Sequence, residues 1–183
     1  MSEIAARFTR LAADFAATAE AVPPERWDSP SPCPEWTARG VVGHLVENQV
    51  MFLGFVHRGL GDIPSAADDP VGSWRAAAAV VQAELADPER AAATFDGFFG
   101  RSRFDVALDR FVNFDLIVHR WDLAQAAGLE LRLDPADIDW AAEKAASFGD
   151  MLHSDGVCGP ALVPPPGSGR QTAFLASVGR RAW

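Results

Sequence analysis

Apolar residues recur at helical spacing through most of the chain. Ile4, Phe8, Leu11, Phe15 and Val22 follow one another at intervals of four, three, four and seven, the repeat of a helix face turned toward a core. Ser2 stands where an N-cap belongs, and Pro23 and Pro24 stand where a helix must stop. The segment from there to Pro34 is rich in Pro and Ser and predicts a surface connection carrying Trp27. A second helix is expected from Thr37 as N-cap to about Arg58, with Val41, Val42, Leu45, Phe52, Leu53 and Val56 inward. Trp36 is placed to staple onto Val41. His44 falls on the edge of the inward stripe, beside Asn48 and away from Glu47.

Gly59 to Pro70 has the composition of a loop. A third helix is predicted over Val71 to Leu85, with Trp74, Val81 and Leu85 inside and alanines that allow close helix approach. Asp87-Pro88 stops or restarts it. Thr94 to Gly100, TFDGFFG, has aromatics between glycines and no clear period, so a loop or short strand packed over the helices is expected. Asp134-Pro135 opens a further helix with Ile138, Ala141, Ala142, Ala145, Phe148 and Leu152 inward, and Gln171 to Val178 makes a short terminal one. Five or six helices and no convincing strand predict an all-α bundle in a single domain over residues 1–183.

The longest helix, Phe104 to Ala127, changes the picture. At about 100° per residue, Phe104, Leu108, Phe111, Val118 and Ala126 share one stripe, and Asp115, His119 and Asp122 lie within it. Gly128 follows as a C-terminal stop. Burying carboxylates costs several kcal/mol unless something pairs with them, and a metal ion is one such partner. Asp115 and His119, one turn apart, can converge on one ion, and His44 can be offered from the second helix. Two imidazoles and one carboxylate suit zinc, iron or nickel, with remaining positions left to water or substrate.

The blander readings stand beside this one. Asp115 and His119 can form a buried ion pair, and His44 an interfacial histidine. Asp122 can accept the other ring N–H of a ligating histidine, or pair with Arg120 or Arg39. Cys33, just before a helix N-terminus, reads either as a reactive thiol or as a small apolar plug between two prolines. His57 and His153 lie near helix ends as exposed or capping groups.

Composition narrows the classes further. A formal net charge of −9 disfavours a nucleic-acid surface. The N-terminus has no basic stretch followed by an uninterrupted apolar run, and no segment approaches the length of a membrane span. A cytoplasmic location is the expectation, with Cys33 and Cys158 as reduced thiols. Aromatics around Phe95 to Phe104 can cover a site or line a homodimer surface.

Two segments carry a resemblance. Pro32-Cys33-Pro34-Glu35-Trp36-Thr37, followed by Val41-Val42-Gly43-His44-Leu45, resembles the PCPxWTxxxxxxHL opening of actinobacterial proteins related to mycothiol-dependent maleylpyruvate isomerase. Val118-His119-Arg120-Trp121-Asp122-Leu123-Ala124 resembles their VHxWDLA element, and the tail from Gly159-Pro160-Ala161 to Gly179-Arg180-Arg181 is also similar. The resemblance implies a DinB/YfiT-like four-helix bundle with additional short helices, and a divalent metal, zinc first, at the positions of His44, Asp115 and His119. The isomerase has Glu where this chain has Asp115, one methylene shorter. It also carries a separate C-terminal domain, which 183 residues are not expected to hold beside the bundle. A thiol-dependent transferase or isomerase is implied, with mycothiol as co-substrate and a small electrophile as partner. The alternative is a non-catalytic metal-binding, stress-response or ligand-binding bundle.

Overall fold

The computed structural model describes residues 1–34, 36–97, 100–154 and 156–183. Glu35, Phe98 and Phe99, each part of a segment read above, and Asp155 lie outside the described residues. Contacts divide the chain into two compact units, Met1–Leu129 and Glu130–Trp183.

The first unit is built on four long helices: α1 (Glu3–Glu20), α2 (Ala38–Phe55), α3 (Pro70–Ala86) and α5 (Phe104–Ala127), with the single turn α4 (Pro88–Ala91) between the last two. Their starts follow the expected caps. The side chains of Ser2, Thr37 and Asp69 accept from the backbone N–H of Ala5, Gly40 and Gly72. Asp87 ends α3 and caps α4, and Gly128 stops α5 in the left-handed conformation at φ 73°. α2 ends at Phe55, short of the expected Arg58, because His57 takes a positive φ of 57° and Arg58 N–H turns back to Leu53 O. A short antiparallel pair, β1 (Thr94–Gly97) and β2 (Gly100–Arg103), follows α4, with Thr94 opposite Arg103. The all-α, DinB-like bundle is the architecture found, with this small ribbon as an addition.

Side-chain pairs fix the helix directions. Arg7 bonds Asp109, and Arg120 bonds Thr18, both across 102 positions, so α1 and α5 run parallel. Between α2 and α5 the partners descend, Asn48 to Asp115 and Phe52 to Phe111, so these helices run antiparallel. Arg39 near the start of α2 reaches Ala67 O just before α3, and Arg58 past the end of α2 reaches Glu84 near the end of α3, so α2 and α3 run parallel. α1 packs on α5 and α3, and α2 packs on the same two. The starts of α2 and α3 and the ends of α1 and α5 therefore share one end of the bundle.

α5 departs from a one-stripe helix. Of its 24 residues 17 are buried, Leu116, Ile117 and Leu123 among them, and α1, α2, α4 and β2 all pack on it. Phe95 stacks on Phe55, with centroids 4.9 Å apart, at the end of α2 opposite His44. Of the two uses expected for these aromatics, covering the site is thus not that of Phe95. The second unit holds α6 (Pro135–Phe148) and α7 (Arg170–Ser177), which pack on each other. Ile138, Ala141, Ala145, Phe148 and Leu152 are buried there, and Ala142, expected inward, is exposed. Among the described residues no helix is long and apolar enough to cross a membrane.

Trp74 anchors α3 against α1. Its ring is fully buried, its edge meets Phe15 with centroids 4.8 Å apart, and its Nε1–H donates to Ala12 O at 3.1 Å. Replacement by Ala removes that volume and leaves the carbonyl without its donor. Trp74→Ala is expected to cost about 3–5 kcal/mol, read as a lower urea midpoint; an unchanged midpoint contradicts the packing described.

Candidate metal centre

The connection from α1 to α2 is a folded loop. Pro30 and Thr37 form an isolated antiparallel bridge. Ser31 N–H donates to Trp36 O, Trp36 N–H donates to Cys33 O, and the Ser31 hydroxyl accepts from Cys33 N–H. This hairpin-like fold turns two side chains inward at the bundle end defined above. Trp36, expected as a staple on Val41, lies against His44 with centroids 4.3 Å apart, and 5.6 Å from the His119 ring. Cys33 is 8% exposed, and its S–H donates to Asp122 Oδ2 at 3.1 Å.

Asp122 is fully buried, and the same oxygen accepts from His119 Nδ1 at 2.9 Å. A carboxylate only accepts, so His119 carries its proton on Nδ1 and presents a bare Nε2. The two arginines considered as partners for Asp122 are engaged elsewhere. Arg120 bonds Thr18 and Asp14, and Arg39 bonds Asp28 and Ala67 O.

On the other side of His119 stand His44 and Asp115. The His44 and His119 rings meet edge to face at 4.8 Å, and His44 Nε2 lies 3.7 Å from Asp115 Oδ2. The Asn48 amide Nδ2 is 3.1 Å from His44 Nε2 and 2.7 Å from Asp115 Oδ2. That nitrogen only donates, so His44 Nε2 is an acceptor and its ring proton sits on Nδ1. His44, Asp115 and His119 thus each offer a donor atom within 4.8 Å of the others. Cys33, His119 and Asp122 form a second such group, sharing the imidazole.

Burial separates the two groups. Cys33, His119 and Asp122 are all buried, whereas the side chains of His44 and Asp115 keep 25% and 27% of their surface. His44 and Asp115 are therefore the more accessible donors. An open hollow of about 440 Å³ is lined in part by Asp28, Ser31, Cys33, Trp36 and Thr37; Cys33 of the second group stands in its wall, and Trp36 links that wall to the His44 and His119 rings. The structure therefore brings together His44, Asp115, His119 and Asp122, sets beside them Cys33, read in the sequence as a reactive thiol or a plug, and adds Trp36 and Asn48. Asn48 had one local signal, its place one turn after His44. The contacts of Cys33 span 86 and 89 positions and had none. His57 and His153 are exposed, and His153 Nδ1 bonds Gly159 O in the second unit.

The family described as the mycothiol maleylpyruvate isomerase N-terminal domain matches residues 8–124, which include every residue of this site. An uncharacterized protein of Mycobacterium tuberculosis, present in two strains, is 31% identical over 121 residues, 66% of this chain. The match spans 65% of the length of those relatives. No solved structure matches.

Asp122 holds two buried donors, so its removal leaves both without an acceptor. Asp122→Ala is expected to lower stability by about 1–3 kcal/mol and to speed modification of Cys33 by an aromatic disulfide reagent. In the unaltered folded protein the half-buried Cys158 reacts before Cys33. Equal rates for the two thiols would contradict the burial of Cys33.

Proposed function

The chain belongs to the family of the mycothiol maleylpyruvate isomerase N-terminal domain, and on that premise we propose that it is a cytoplasmic, divalent-metal-binding protein that uses a low-molecular-weight thiol, mycothiol first, to transfer to or isomerise a small electrophile. His44, Asp115 and His119 would hold the ion, zinc before nickel or iron. The observation that carries this reading is the convergence of two imidazoles and one carboxylate, each with a donor atom within 4.8 Å of the others. The Asn48 N–H groups pointing at His44 and Asp115 mark that space as one where positive charge is favoured. Residues and metal thus fit.

When bound there, the ion supplies Lewis acidity that favours the thiolate form of a ligating thiol. The chain's own groups do the rest. Asp122 keeps the His119 proton on Nδ1 and raises the basicity of Nε2. Trp36 walls one side of the two imidazoles. The partial exposure of His44 and Asp115 leaves an approach for thiol and electrophile, with the adjoining hollow large enough for a small molecule. Cys33 spends its proton on Asp122, which suits a supporting group better than the attacking nucleophile.

Protein purified without a histidine tag is expected to carry about one divalent ion per chain by elemental analysis, and His44→Ala to lose it. Unchanged metal content in His44→Ala sinks the ligand assignment. Turnover of a chromogenic electrophile with added thiol, lost on chelation while circular dichroism is unaltered, separates an enzyme from a metal-binding protein without activity.

A further inference from the structure

Asn48 has been assigned no part in binding, yet its amide sits at the third corner of a triangle whose other corners are His44 Nε2 and Asp115 Oδ2. The edges are 3.1, 2.7 and 3.7 Å. Two ligands at right angles on an ion, each at about 2.0–2.2 Å, stand roughly 3 Å apart, and tetrahedral ones somewhat farther. The amide terminus therefore occupies the position of a neighbouring ligand to both groups.

Its chemistry matches that position. The Nδ2 hydrogens face two acceptors, a bare imidazole nitrogen and a carboxylate oxygen. A cation held by those same acceptors reverses the local field, repelling the N–H dipoles and attracting the amide oxygen. The terminal torsion of Asn is broad and twofold, so a half turn exchanges Nδ2 for Oδ1 at nearly the same point. Asn48 also lies one turn from His44 on α2, so no backbone movement is needed for both to face one ion.

We propose that Asn48 is a fourth protein ligand, through Oδ1, to the divalent ion at His44, Asp115 and His119, and that its amide turns over on metal loading. This rests on the metal reading given above. The resulting set of two imidazoles, one carboxylate and one amide oxygen leaves positions for a thiol. It also contains more hard oxygen than the three residues alone.

The test is divalent-ion affinity of the full chain, measured for zinc by competition with a chelator and for cobalt(II) by its visible spectrum. Wild type, His44→Ala, Asn48→Leu and Asn48→Asp are compared. Asn48→Leu is expected to bind at least about tenfold more weakly, a loss that an outer hydrogen-bonded partner alone also produces, and to shift the cobalt band, which such a partner does not. Asn48→Asp, whose oxygen needs no turn, binds as tightly as wild type or more so. If Asn48→Leu leaves the cobalt band unchanged, whatever its affinity, while His44→Ala does not bind, Asn48 is not a ligand and the metal reading stands without it. If wild type and His44→Ala both fail to bind, the metal reading falls and this inference with it. Where Asn48→Leu shows no cooperative melt, Asn48→Asp decides: weaker binding than wild type overturns the proposal.

Discussion

A carboxylate taken wholly out of water governs the arrangement of this bundle end. Asp122 is fully buried, and such a group is tolerated only when hydrogen bonds replace its hydration. Its Oδ2 accepts hydrogen bonds from both His119 Nδ1–H and the Cys33 S–H. The first bond is local, one turn along α5. The second requires the loop between α1 and α2 to fold down onto α5, and the internal bonds of residues 30–37 hold it in the shape that allows this. Trp36 arrives over the imidazoles as a consequence. Orientation of His119 and closure of the loop are thus two results of satisfying one buried charge.

The helix directions decide which residues can answer that charge. Parallel α1 and α5, with α2 antiparallel to α5, place the start of α2 beside the end of α5. His44 then meets His119, and Asn48 meets Asp115, at equal steps of one turn. Asp115 is one methylene shorter than the Glu that the resemblance would supply, and a gap of 3.7 Å remains to His44. Asn48 spans that gap from the α2 side. The shorter acid and the nearby amide are therefore read together: what the carboxylate lacks in reach, an amide on the facing helix can supply as a second oxygen.

The legible and illegible parts of the sequence divide along sequence separation. The ends of α5 were readable because Gly128 is a local stop, and the placement of Asp115, His119 and Asp122 on one side followed from helical period alone. The burial of Leu116, Ile117 and Leu123 outside that stripe was not, since a helix covered on several faces shows no single apolar stripe. β2, with the sequence Gly100-Arg101-Ser102-Arg103, has no apolar alternation and becomes a strand only by pairing with β1. The early end of α2 turns on His57 adopting a conformation that Gly or Asn would have announced. Cys33 was read as a plug because its partners lie on a helix more than eighty positions away.

The site itself is supplied by two kinds of element. The donors His44, Asp115 and His119 stand on helices whose packing fixes them, and Asn48 shares that rigidity. The walls of the adjoining hollow come instead from the loop, through Ser31, Cys33, Trp36 and Thr37. The loop is nonetheless tied to the bundle, since Thr37 caps α2 and Cys33 bonds the buried Asp122. Under the proposed function, the choice of electrophile would be written in the loop and the activation of the thiol in the helices. Asp122 is the point where the two meet, because Cys33 on the loop and His119 on the helix bond the same oxygen. A change in loop shape that moves Cys33 therefore alters the partner of His119, coupling the recognition surface to the ligand strength of the imidazole.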